Sequence, residues 1–246
     1  MTQINAPYVL DETKDFAVVF KPPKIHCADK NSNFYNEPMQ KKEDESETIF
    51  NWYQKHIKDN EYLQLLHRLD YETHGLVLFA KNEKSFDYLK DLQDKGEFIK
   101  EYSAVCSHSV NESLSQDSSF PVSHFILQTV PQIIESYFRP FGKGRKAVRP
   151  VIEDKKKHKE TAKGRNGFYR TEIISVKENV FTVRINRGFR HQIRCHLCWI
   201  GYPILNDPLY PEEKETTSLL ALRSHALLFS DPSSGKYLEY RIESLS

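Results

Sequence analysis

His67-Arg68-Leu69-Asp70-Tyr71-Glu72-Thr73-His74-Gly75 is the stretch that most restricts what this chain can become. Leu63, Leu65 and Leu66 lead into it, and the apolar run from Leu76 to Ala80 leads away. Short apolar runs bounded by polar and glycine residues predict strand, loop and buried strand. The loop then lies at the edge of a core, with a cation, Arg68, two positions from an anion, Asp70. A short carboxylate on a loop pinned at both ends by strands is held in place, as chemistry requires. On spacing alone, a surface ion pair beside a turn is the better reading.

At 246 residues, with 39% hydrophobic and 12% aromatic side chains, the chain can bury a sizeable core in one or two domains. Its 35 Lys and Arg against 34 Asp and Glu leave a formal charge of +1, so global charge points to no nucleic-acid partner. Distribution says more. Arg139 to Arg165 holds 11 Lys or Arg and 3 Asp or Glu, a local net charge of +8. The sequence does not open on a basic segment followed by a long apolar run, and no stretch approaches a membrane span, so no membrane association is expected. Four cysteines, Cys27, Cys106, Cys195 and Cys198, among many Lys and Glu predict reduced thiols and a cytoplasmic protein.

Residues 1–15 read as a short lead-in. Phe16–Phe20 predicts a strand that Pro22 and Pro23 stop, and residues 29–47 a polar loop. Thr48 caps a helix with Ile49, Trp52, Tyr53 and Ile57 on helical spacing. Ser85 caps a second, with Phe86, Leu89 and Leu92 on one face and Gly96 at its end. Phe98–Cys106 predicts a strand carrying Tyr102, and residues 111–119 a serine-rich loop. Residues 137–170 are basic, glycine-dotted and poor in large apolar side chains, so an excursion from the core is expected, with 139–165 its basic part. Glu172–Ile185 predicts a hairpin, His191–Ile200 a helix ended by Gly201, and Ala226–Ile242 a last hairpin around Asp231–Gly235. Many short strands, few helices and no regular βαβ alternation predict an α+β class with a mixed or largely antiparallel sheet.

His67-Arg68-Leu69-Asp70 with Glu72-Thr73, Gly75-Leu76 and Ala80-Lys81-Asn82 resembles the catalytic motif of the RluA-type pseudouridine synthases. Val18-Val19-Phe20-Lys21-Pro22-Pro23 with His26 resembles that family's opening segment, with Lys24 where a glycine is usual. Lys100-Glu101-Tyr102-Ser103-Ala104-Val105, then Arg190 to Leu197, then Gly201 to Tyr210 resemble its later motifs in order. Leu222, His225-Ala226, Leu228-Phe229 and Asp231 to Gly235 continue the match, which spans residues 16–242. The resemblance implies the pseudouridine-synthase catalytic fold: a mixed, largely antiparallel bent sheet with flanking helices and a central cleft. One catalytic domain over residues 1–246 is expected, without a separate N-terminal RNA-binding domain. The implied activity is isomerisation of uridine in structured RNA, ribosomal or transfer, by a monomer that uses no cofactor.

The same resemblance assigns the roles. Asp70 is the carboxylate that acts at ribose C1′, and Arg194 is its guanidinium partner. Burial raises a carboxyl pKa and a neighbouring guanidinium lowers it, and a planar fork can hold a carboxylate at two points. Tyr102 packs on the target base and helps remove the C5 proton. His67, Arg68, Arg190, His191 and Gln192 face the RNA, Arg68 either entering the space left by a flipped nucleotide or contacting phosphate. By its charge, the basic run Arg139, Lys143, Arg145, Lys146 and Arg149, followed by Lys155, Lys156, Lys157, Lys159, Lys163 and Arg165, reads as a phosphate-binding arm. Asn186-Arg187-Gly188-Phe189-Arg190 and Asp231 depart from the family pattern in places that bear on substrate fit. Cys195-x-x-Cys198 with His191 and His196 invites a zinc reading, but no second pair lies at matching spacing, so no metal is expected. Two rivals stand beside this reading. One is a hydrolase that uses Asp70 to cleave an N-glycosidic bond; the other is a non-catalytic RNA-binding module, which would not require Asp70, Tyr102 and Arg194 together.

Overall fold

The structure is a computed structural model that describes residues 6–28, 47–57, 62–107, 129–152, 168–210 and 218–246. The expected loop at 111–119, the expected loop at 29–47 except its last residue, and Lys155, Lys156, Lys157, Lys159, Lys163 and Arg165 lie outside these residues. In chain order the first elements are β1 (Tyr8–Glu12), β2 (Phe16–Lys21), α1 (Ile49–His56), β3 (Gln64–Leu65), β4 (His74–Ala80) and α2 (Glu83–Lys95). There follow β5 (Ile99–Val105), β6 (Gln132–Phe141), β7 (Ala147–Val151), β8 (Tyr169–Lys177) and β9 (Val180–Ile185). The chain closes with α3 (Gln192–Trp199), β10 (Leu222–Ser230) and β11 (Tyr237–Arg241). These form two compact units, residues 1–102 with 222–244 and residues 103–221 with 245–246.

In the first unit β2 pairs antiparallel with β1 and β4, β4 runs parallel to β10, and β11 pairs antiparallel with β10. The pairing is therefore mixed, within the expected mixed or largely antiparallel sheet. Every residue of β2 and β4 is buried, because both faces are covered. Phe16, Val18, Leu76, Leu78 and Ala80 pack with Phe86, Leu89 and Leu92 of α2. Phe79, of opposite parity, lies against Phe50 and Tyr53 of α1. Alternation along a strand thus sends the two helices to opposite faces. Thr48 caps α1, its side chain accepting from the Asn51 N–H at 3.1 Å.

Two expectations need correction here. Helix α2 is capped by Asn82, whose Oδ1 accepts the Ser85 N–H at 2.8 Å, while the Ser85 hydroxyl donates to the Asp15 carbonyl. An asparagine oxygen reaches the N3 amide as well as a serine does, so the cap lies three residues before Ser85 and the helix starts at Glu83. The lead-in 1–15 also contains a strand, β1, with ladder partners supplied entirely by β2.

In the second unit β9, β8, β6 and β7 are neighbours, all antiparallel. The region expected to leave the core at residue 137 instead continues β6 and returns as β7. Ala147 and Val148 are buried with Cys195 and Cys198 of α3 and with Tyr210, and that burial holds a cation-rich hairpin in place. Tyr137 pairs with Val151 and the adjacent Ser136 with Tyr169, so β7 ends and β8 begins at consecutive rungs of β6.

His196 is fully buried between the Ser136 hydroxyl at 2.9 Å and the Thr171 hydroxyl at 2.8 Å. Burial pushes its pKa down to about 3, and burial with Arg223 and Lys21 pushes that of His74 down to about 4. Both values lie below the ordinary 6.5. As pH falls below 6.5 the unfolded chain binds protons that the folded chain refuses, so stability is full above that pH and declines through the acid window. At pH 5 each histidine is expected to cost on the order of 2 kcal/mol relative to pH 7. Urea midpoints measured from pH 7 to pH 5 check this, and His196→Asn should flatten the decline.

Candidate active site

Asp70 lies on the turn between β3 and β4, half-buried, with exposed Arg68 and buried Leu69 before it. The Thr73 N–H donates to the Asp70 carbonyl at 3.2 Å and closes the turn. Beneath it, the Leu69 N–H donates to Cys27 Sγ at 3.1 Å, one residue before the carboxylate. The Lys24 N–H donates to the Tyr71 carbonyl at 2.8 Å, one residue after it. Lys24 adopts a left-handed backbone with φ of 60°, which explains why glycine suits this position.

Lys21 completes the support. It is fully buried, and its Nζ donates to the carbonyls of Pro22 and Ile25, each at 2.9 Å, and of Tyr71 at 3.4 Å. Burial pushes its pKa down to about 8, against the opposing influence of Cys27, Asp70 and Glu72. At neutral pH the ammonium therefore remains charged under the loop and ties β2 to the residue after Asp70. Gly75, at the start of β4, has φ of 122° and lies against the Ser224 backbone of β10. Arg223 Nε donates to His74 Nε2 at 3.0 Å, which places the imidazole proton on Nδ1.

Tyr102 of β5 is buried in the same unit. Burial first, and then the charge of Asp70, push its phenol well above the usual range, while a hydrogen bond to Ser224 opposes the rise. Tyr102 therefore keeps its proton at neutral pH, close enough to Asp70 to feel the carboxylate. His67 occupies a core position: it is buried, its ring tilted against Phe98 at 5.4 Å, with neither ring nitrogen hydrogen-bonded among the described residues. Burial and Lys100 keep it neutral. That position makes it part of the wall behind the loop, whereas its motif predicts a contact with RNA.

Arg194 belongs to the second unit. It lies buried on α3, and its guanidinium grips Asp207 side-on, Nε to Oδ2 and NH2 to Oδ1, each at 2.7 Å. The other residues of its motif take individual places. Gln192 is buried and braces the chain, its amide donating to the Arg170 carbonyl and the Thr171 hydroxyl while its oxygen accepts the Phe189 N–H. Exposed Arg190 donates to the carbonyls of Arg145 and Ala147, so it holds the turn of the β6–β7 hairpin. Partly exposed His191 enters α3 with φ of 57°, its Nδ1 3.3 Å from the Tyr210 hydroxyl. Lys143, Arg145 and Lys146 are exposed at the hairpin tip, and Arg139 is partly exposed on β6. Cys195 and Cys198 are buried, and burial pushes both thiols up.

The structure thus brings Asp70, Tyr102 and Lys21 together in one unit and fixes Arg194 by Asp207 in the other. Lys21, Cys27 and Asp207 are the supporting residues that sequence reasoning missed. The signal for Asp207 was its place in the Gly201–Tyr210 segment, an aspartate before proline with two backbone amides following.

The sequence profile described as RNA pseudouridylate synthase matches residues 15–199. A Helicobacter pylori protein named as an uncharacterized RNA pseudouridine synthase is 26% identical over 226 residues, which are 92% of this chain and 72% of that protein. A Bacillus subtilis protein with the same description is 25% identical over 179 residues, 72% of this chain and 50% of its own length. The yeast mitochondrial tRNA pseudouridine(32) synthase, from Saccharomyces cerevisiae, is 32% identical over 148 residues, 60% of this chain but 27% of its own length. The chain thus spans from about a quarter to nearly three quarters of these relatives. Among solved structures, the human RNA pseudouridylate synthase domain containing 4 superposes with a TM-score of 0.60 at 16% identity, covering 96% of this chain and 88% of that one. The human domain containing 1 gives 0.61 at 14% identity, covering 98% and 84%. These likenesses establish the fold.

Proposed function

Because this chain belongs to the RNA pseudouridylate synthase family, we propose that it isomerises uridine to pseudouridine in structured RNA, with Asp70 as the acting carboxylate. The observation that carries this reading is the anchoring of Asp70: its turn is tied on one side by Cys27 and on the other by Lys21 and Lys24, beside buried Tyr102. A carboxylate held in this way is preorganised for one position on a substrate.

The reaction breaks the ribose C1′–N1 bond, turns the uracil, joins C5 to C1′, and moves the proton from C5 to solvent while N1 gains one. Asp70 serves it by attacking C1′, by steadying positive charge there, or by removing the C2′ proton so that a glycal forms. Tyr102, kept protonated, packs on the base and offers a hydroxyl hydrogen bond. Arg194 is the guanidinium partner of Asp70. The RNA contacts are Arg68, His191, Arg139, Lys143, Arg145 and Lys146, the last four supplying phosphate attraction. Ribosomal or transfer RNA is the substrate class, and the name of the yeast relative supports the second. We assign the protein to the cytoplasm on its four cysteines, read as reduced thiols.

Two substitutions follow from these roles. Arg194→Lys is expected to slow single-turnover chemistry by about 10²-fold at saturating RNA, because one ammonium cannot serve Asp207 and Asp70 as a planar fork can. Parental rates would remove Arg194 from the site. Tyr102→Phe should leave RNA affinity within about twofold, since the ring that packs on the base is kept, and should slow removal of the C5 proton, which comes after C5 has joined C1′. Weakened binding with normal chemistry would contradict that role. The reading itself is tested by carbodiimide mapping of cellular RNA with and without the protein. New reactive uridines at defined positions are expected, and identical maps would refute it.

A further inference from the structure

We propose that Tyr71 is a specificity-determining residue whose ring stacks on a nucleobase next to the target uridine; this rests on the isomerisation proposed above. Its place in the chain is the first reason. Tyr71 follows Asp70 directly, so its Cα lies about 3.8 Å from that of the acting residue. A nucleotide whose ribose meets the Asp70 carboxylate therefore brings its neighbours in the strand past the residues that flank Asp70. Exposure is the second reason. The turn is closed by backbone and anchored by buried Leu69 and Thr73, so it needs no aromatic side chain to form. Tyr71 nevertheless stands there 42% exposed, an apolar ring among polar residues.

The ring is mounted on a fixed base. The Tyr71 carbonyl accepts from the Lys24 N–H at 2.8 Å and from the Lys21 ammonium at 3.4 Å. The ring itself meets the exposed His26 imidazole, with centroids 4.6 Å apart and planes tilted by 40°. His26 is held in turn. It bridges to Thr48, and its carbonyl accepts the Ile49 N–H at 2.9 Å where α1 begins. Rings with two side-chain torsions on held backbone have little freedom left to lose, so ordering them under a base costs little.

The reaction creates the need for such a surface. The target uridine must leave its stack before C1′ can be reached, and the bases beside it then lose a stacking partner. An aromatic side chain that takes up one of those faces offsets the loss. It does so without reading base edges, because every base has a π face. Preference then comes from stacking strength, and a purine presents the larger face. Tyr71, backed by His26, thus favours a purine beside the target.

Tyr71→Ala and Tyr71→Phe are compared with the parent on a short RNA carrying a uridine identified by mapping. The RNA bears a purine, a pyrimidine or an abasic residue on the 5′ or the 3′ side of that uridine. Thermal melting, filter binding and single-turnover rate at saturating RNA are measured for each pair. Tyr71→Phe keeps the ring and should bind as the parent does. Tyr71→Ala should bind purine-flanked RNA about tenfold more weakly, the scale of one lost base–aromatic stack. Its rate at saturating RNA should fall twofold at most. On RNA abasic at the stacked side the penalty should vanish, because ring and base are then both absent from one interaction. Parental binding by Tyr71→Ala would overturn the proposal, as would an equal penalty on every abasic RNA. A lowered melting point with slow chemistry at saturating RNA would also overturn it, since that marks a brace for the Asp70 turn. If the parent forms no pseudouridine, the isomerisation fails and this inference with it. If the parent is active while Tyr71→Ala binds normally, only this inference fails.

Discussion

Asp70→Asn is expected to reduce pseudouridine formation by at least about 10³-fold, the scale of removing a group that acts directly in the transition state. The exchange keeps size and shape but removes the charge. An amide does not attack C1′, does not balance positive charge there and does not take up the C2′ proton, so all three routes fail together. The fold should survive. The turn is held by backbone and by Cys27, Lys21 and Lys24, through the residues flanking Asp70. RNA affinity should stay near parental, because phosphate contacts dominate binding and Asp70 supplies none. The check is a single-turnover assay on purified variant with melting and filter binding alongside. Appreciable turnover by the Asn protein would remove Asp70 from the chemistry.

Gly75→Ala should be the most damaging small substitution near the site. A Cβ built on Gly75 would come within 2.2 Å of the Ser224 carbonyl oxygen and 2.6 Å of the Ser224 nitrogen. Both are backbone atoms of β10, paired with β4 at this very position, so relief requires the strands to part. The backbone at φ of 122° adds strain of its own. A loss of about 4 kcal/mol or more is expected, at the extreme of single substitutions. Gly235→Ala is the control. It also has positive φ, at 69°, but nothing lies within 4 Å of its Cβ, so about 1–2 kcal/mol is expected from the left-handed backbone alone. Equal losses in chemical denaturation would show that the close approach of β10 is not what Gly75 serves.

The contrast between these two glycines shows what the sequence could and could not disclose. Local signals were readable: Thr48 capping α1, Gly96 ending α2 and the Asp231 turn all depend on atoms within a few residues. The turn bearing Asp70 was readable because apolar runs frame it. Features made by distant partners were not. Lys21 meets Tyr71 across 50 positions, and Cys27 meets Leu69 across 42. Nothing in either segment announces the other. Hairpin β6–β7 was misjudged because its cations dominate a count of composition, whereas its place is set by Ala147 and Val148 packing on α3. Gln192 and Arg190 read as RNA-facing by their motif, yet their hydrogen bonds go to the protein's own backbone. Polar residues in such a motif frequently build the holder of the acting group, and only their partners reveal which task each has.

The chain is expected to isomerise uridine and not to release base. The most direct measurement uses an RNA identified by mapping, transcribed with uridine tritiated at C5, and follows both tritium and uracil. Isomerisation moves the C5 hydrogen to water and conserves the polymer. One tritium should therefore be released per modified site with no free uracil, and unlabelled RNA treated in parallel should keep its mass. Free uracil released with tritium still on C5, leaving an abasic RNA, would contradict the account and identify an N-glycosidic hydrolase.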